Sequence, residues 1–156
     1  MPDGSLVFPE QEFQRRCDAI QREMTQRGQD ALVLTSSADI FYVTGFLTRF
    51  WESPARPWFV IVPTKGRPTA VIPSIGSELM GKTWLDDVRT WDAPNPVDDG
   101  VSLLVESLAA LVPERGAIAF PMGLETSLRM PIADFERVKT ALSPRDFTDG
   151  KSRGDR

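Results

Sequence analysis

Histidine is absent from all 156 residues. That absence removes the side chain that titrates nearest neutral pH and the commonest nitrogen ligand for a metal ion. A Ser-His-Asp or Cys-His constellation is excluded within the chain. Cysteine occurs once, as Cys17, so no internal disulfide forms. Its place on an apolar stripe marks it as a small core residue in a reducing compartment. No window approaches the roughly 20 apolar residues of a membrane-spanning helix. The N-terminus lacks a basic stretch followed by an apolar run, so no signal peptide is visible and a cytoplasmic location is expected. Phosphate cradles are missing as well. The segment Gly76-Ser77-Glu78-Leu79-Met80-Gly81 lacks the Lys-Ser/Thr of a P-loop, and no dinucleotide fingerprint follows the first strand.

A basic surplus is also missing. Lys and Arg number 18 against 22 Asp and Glu, a net charge of −4. The basic residues are scattered, which argues against nucleic acid or an anionic membrane as a partner. With 41% hydrophobic and 26% charged residues, the composition is that of an ordinary globular domain, and the length suits one core.

Read in order, the chain opens on an arm and then a helix over about Pro9–Arg27. Phe13, Cys17, Ile20 and Met24 recur at helical spacing on one face. Glu10 and Glu12 suit the helix start and Gly28 its stop. Ala31–Thr35 is a continuous apolar run, the pattern of a strand buried on both faces. Ser36 or Ser37 caps a short helical turn over Ser37–Val43, which Gly45 ends. Trp58–Pro63 and Pro68–Pro73, linked by Thr64-Lys65-Gly66-Arg67, predict an antiparallel hairpin. A short helix within Ser74–Lys82 and a strand over Asp87–Trp91 follow. Asp98 or Asp99 is expected to cap a helix reaching about Val112, with Val101, Leu104, Val105, Leu108 and Leu111 on its apolar face. Ala117–Phe120 is a short strand. Pro131 suits the first position of a last helix, whose stripe is Ile132, Phe135, Val138 and Leu142. A final strand is expected at Arg145–Thr148. The alternation predicts an α/β fold, three-layer α/β/α, with a mixed, largely parallel central sheet of five or six strands. A single domain over residues 1–148 is expected, with 149–156 a polar tail or the start of a linker.

Chemistry-bearing groups are few. Asp86-Asp87 and Asp98-Asp99 are candidate metal ligands, but both pairs flank element boundaries, where aspartate serves as a cap or turn residue. No spacing sets two carboxylates on one face of a cleft, which disfavours an enzyme built on carboxylates alone. Arg153-Gly154-Asp155 reads as chance. Among the tryptophans, Trp58 and Trp91 fall in strands and are expected in the core, while Trp84 is undecided. The connection between the first two strands carries Arg49, Phe50, Trp51, Glu52 and Arg56. Clustered arginine and large aromatics are the make-up of an interface anchor.

Phe41-Tyr42-Val43-Thr44-Gly45-Phe46, after an Ala31-to-Ile40 lead beginning at Asp30-Ala31, resembles the N-terminal domain of the creatinase/prolidase family. The leading helix and the Arg56–Pro63 strand resemble it too, and the likeness runs over about residues 10–148. The resemblance implies a ribonuclease H-like domain that precedes a catalytic domain holding two divalent metal ions, Mn, Co or Zn, on Asp, His and Glu ligands. This chain has no histidine and so supplies no cofactor site of its own. The resemblance further implies a homodimer, contact with the chain's own C-terminal catalytic domain, and a loop at about Thr48–Arg56 that caps a neighbouring active site. In creatinase an arginine shortly before the corresponding strand contacts the substrate carboxylate. Arg56 matches it by position, with Arg49 as the rival because this loop is the longer one. Guanidinium pairs bidentately with carboxylate in either place. The alternative class is a stand-alone binding module without a catalytic partner, to which the finished-looking length and polar end point.

Overall fold

Four of the six strands are short runs of apolar or β-branched residues, and their alternate side chains go to opposite faces of one sheet. The computed structural model describes residues 7–48, 57–123, 126 and 128–150. The elements are α1 (Glu10–Gln26), β1 (Ala31–Leu34), α2 (Ser37–Thr44), β2 (Phe59–Pro63), β3 (Thr69–Pro73), α3 (Ser77–Met80), β4 (Asp87–Trp91), α4 (Val101–Leu111), β5 (Ala117–Phe120), α5 (Ile132–Leu142) and β6 (Asp146–Asp149). A 3-10 turn, Ser74–Gly76, leads into α3, so the predicted short helix is two pieces.

The strand order is β4-β3-β2-β1-β5-β6. β2 pairs antiparallel with β1 and β3, while β3–β4, β1–β5 and β5–β6 are parallel. The sheet is therefore mixed and largely parallel, as expected, and β2 alone runs against the rest. On one face Leu34, Val60, Val62 and Ile72 meet Phe13, Cys17 and Met24 of α1, Ile40 and Val43 of α2, and Met80 and Trp84. On the other, Val33, Phe59, Ile61 and Phe120 meet Leu104 and Leu108 of α4 and Phe135, Val138 and Leu142 of α5. Asp30 ties β1 to β5, its Oδ2 accepting from the Ala117 amide at 2.8 Å.

Several expectations need correction. Gly100, not an aspartate, is the N-cap of α4, at φ +88°. A Cβ there would come within 2.6 Å of the Trp91 ring, which leaves room only for glycine. Asp98 caps from further out: its Oδ1 accepts from the Ser102 amide at 3.0 Å. Asp99 instead accepts from Trp91 Nε1 at 2.8 Å. Trp91 is accordingly half-buried on an outer strand and not a full core residue. Leu111 and Ile132 are exposed, the latter at 80%, and Val112, 2% exposed, takes the core position at the end of α4 in place of Leu111. Pro131 is the N-cap of α5 and not its first helical residue. β6 runs through Asp149, one residue into the segment assigned to the tail.

Candidate functional site

Because β1, β3, β4, β5 and β6 run the same way, the segments that leave them all start at one edge of the sheet. In open α/β sheets that carboxyl edge is where ligands and partners are met. Here it carries exposed apolar side chains from separate segments: Leu47 after α2, Ile75 after β3, Val97 after β4, Met122 after β5, and Ile132 at the start of α5. Their exposures run from 43% to 81%, although a folded chain gains by covering such groups. The last described residue, Gly150, leaves at this edge too, its amide bonded to the Phe120 carbonyl at 2.7 Å.

The connection from α2 to β2 departs from the middle of the edge, and its stems are firmly built. Ser36 Oγ accepts from the Asp39 amide at 3.2 Å, the predicted cap of α2. Thr44 Oγ1 donates to the Ile40 carbonyl at 2.6 Å and accepts from the Phe46 amide at 2.9 Å. Gly45 ends the helix at φ +81°, a left-handed conformation that favours glycine, with the ring of Phe13 directly against it. Phe46 turns inward and packs on Trp58 with ring centroids 5.5 Å apart. Trp58 is thus a core residue, as expected, and Trp84 joins it, 3% exposed. Leu47 turns outward. Arg49, Phe50, Trp51, Glu52 and Arg56, the predicted contact residues of this connection, lie outside the described residues.

Beside α2 lies a cleft of about 570 Å³. Ile20 and Met24 of α1, Leu32 of β1, and Tyr42 and Val43 of α2 line it, and Gly150 closes one side. Sequence reasoning did not find it. Ile20 belongs to the predicted core stripe; it packs partly on the core and partly lines the cleft, a division that helical spacing does not mark.

The aspartate pairs are engaged elsewhere. Asp86 and Asp87 pair with Arg67 and Arg89 at 3.3 and 3.1 Å. The hydroxyl and amide of Ser102 hold Asp98 below the usual carboxylate range. Among the described residues no three His, Cys, Asp or Glu side chains come together as metal ligands do. This set of residues does not fit a two-metal centre. Cys17 is buried, and burial pushes its thiol up to about 11, far from a nucleophile's range. Among the described residues no helix is long and apolar enough to cross a membrane.

A model of the creatinase/prolidase N-terminal domain matches residues 16–154. The chain belongs to this family. An uncharacterized hydrolase/peptidase, y4tL, of Sinorhizobium fredii is 39% identical over 69 residues, which are 44% of this chain and 17% of that protein. Among solved structures, a prolidase from Thermococcus sibiricus superposes with TM-score 0.70 at 17% identity, over 88% of this chain and 34% of the prolidase. The creatinase/prolidase N-terminal domain of an X-Pro dipeptidase from Streptococcus pyogenes gives TM-score 0.62 at 19% identity, over 86% of this chain and 92% of that one. At these identities the structural likeness is one of fold. The chain spans only a third of the prolidase and less than a fifth of the hydrolase/peptidase.

Proposed function

We propose that this chain is the non-catalytic N-terminal domain of a metal-dependent Xaa-Pro peptidase or creatinase-like hydrolase. In this reading it contributes dimer contacts and a loop over a neighbouring active site. One observation carries the reading: a chain matched by this family over residues 16–154 contains no histidine. Two-metal hydrolysis needs a clustered set of ligands, so the metal ions, Mn, Co or Zn, are held outside these residues. The names of the relatives, a hydrolase/peptidase and a prolidase, support a peptide-cleaving parent. The apolar side chains along the carboxyl edge supply surface for the remaining domain and for a second copy.

Within the loop, Arg56 is assigned to the substrate carboxylate, with Arg49 as its rival and Phe50 and Trp51 as flanking contacts. The protein acts in the cytoplasm, with neither nucleic acid nor membrane as a partner. The reading frame beyond Arg156 tests the proposal. Continuation into a half rich in Asp, Glu and His supports it, and a stop codon favours the stand-alone binding module instead.

A further inference from the structure

We propose that Arg16, on α1, is the positioning residue for the connection that leaves α2. A helix leaves its last four carbonyls without partners in the helix, and here three of them are accounted for. The Phe41 carbonyl accepts from the Gly45 amide at 2.8 Å. The Tyr42 carbonyl accepts from Arg16 Nη1 at 2.8 Å, and the Val43 carbonyl accepts from Trp84 Nε1 at 2.7 Å. The two side-chain donors come from α1 and from the α3–β4 connection, far away in sequence. They fix the end of α2 against both.

Arg16 does more than donate once. Its guanidinium lies 4.5 Å from the Tyr42 ring, 4.8 Å from Phe8 and 5.6 Å from Phe13. Its Nε donates to Glu12 Oε1 at 3.0 Å. The side chain is 13% exposed, so a partly buried cation is held at the negative end of a helix. Only a planar, multiply donating cation can bond a carboxylate and a carbonyl while lying on aromatic faces. Phe13, under the same guanidinium, also blocks any side chain at position 45. Arg16 therefore sets where Gly45, Phe46 and Leu47 begin the connection. Its role in catalysis rests on the reading that this connection meets a substrate. The geometric role does not.

Amide hydrogen exchange on the 156-residue chain tests it without any substrate. Arg16→Met should speed exchange at the bonded amides of Gly45 and Phe46 roughly tenfold or more, as expected for loss of a charge-assisted bond. The amides of β1 and β2 should keep their protection. Arg16→Lys, which keeps the charge but loses the fork, should fall between Met and the native residue, and it serves if Arg16→Met does not fold. Unchanged exchange at Gly45 and Phe46 would overturn the proposal. So would acceleration spread evenly over the sheet, because Arg16 would then support the fold at large and not this end of α2. Kinetic failure of the Arg56 assignment would leave the exchange pattern untouched, so the two ideas fail separately.

Discussion

The indole of Trp84 donates its Nε1 proton to the carbonyl of Val43, 41 residues earlier, at 2.7 Å. Trp84 is nearly fully buried and stacks on Phe13 of α1 with centroids 6.2 Å apart. One side chain thus joins α1, the end of α2 and the approach to β4. Trp84→Phe keeps most of the ring and removes the donor, leaving a buried carbonyl unpaired. It should cost about 1–3 kcal/mol, read as a lower urea midpoint with an unchanged slope.

Gly45→Ala is expected to be more damaging than Gly28→Ala. Both glycines have positive φ, +81° and +69°, and each alanine carries that backbone cost of about 1–2 kcal/mol. Only at Gly45 does the new methyl meet a neighbour, with Phe13 Cζ at 2.9 Å. Overpacking of this kind adds about 1–3 kcal/mol. Equal losses in paired denaturation curves would show that Phe13 yields freely.

Acid should weaken the fold through Glu12 and Asp98. Hydrogen bonds from Arg15 and Arg16 hold Glu12 down from 4.5 to about 2, and Ser102 holds Asp98 below its ordinary value. A depressed carboxyl binds its proton more weakly in the folded state than in the unfolded one. The stability it contributes is present above the unfolded value and is lost as pH falls through the folded value. For Glu12 the window runs from about 4.5 down to about 2. Denaturation at stepped pH should show a shallower acid slope in Glu12→Gln than in the native chain.

In an enzyme that carries this chain as its N-terminal domain, the proposed function predicts that Arg56→Ala lowers kcat/KM for an Xaa-Pro substrate by roughly tenfold or more while leaving the thermal midpoint in place. Arg49→Ala separates the two arginines. If Arg49 carries the loss and Arg56 does not, the carboxylate contact moves to Arg49. Unchanged kinetics in both variants would remove the loop arginines from the site.

Much of the fold was legible because local rules and burial agreed. The Phe13-Cys17-Met24 spacing is a buried face, Ser36 is the cap of α2, and the run from Phe59 to Pro73 is the hairpin. What was not legible lay at element ends, where partners distant in sequence decide. Asp98 and Asp99 follow the capping rule, but Trp91 occupies the space beside position 100 and hands the N-cap to glycine. Ile132 and Leu111 continue their helical stripes yet are exposed, while Val112 fills the core beside the end of α4. No periodicity reports where a neighbour ends. The predicted contact residues of the α2–β2 connection rest on composition alone and lie outside the described residues. The arginines and aromatics between Thr48 and Pro57 stood out as a cluster, whereas the clamp of Arg16 and Trp84 on α2 depends on residues 26 and 41 positions apart.

If the chain is the non-catalytic domain proposed above, its chemistry resides outside these 156 residues. This is tested by incubating the purified chain with an Xaa-Pro dipeptide in the presence of Mn, Co or Zn and following release of proline. No hydrolysis above the metal-only control is expected with any of the three. Proline release that co-purifies with the folded chain and disappears on its denaturation would contradict it.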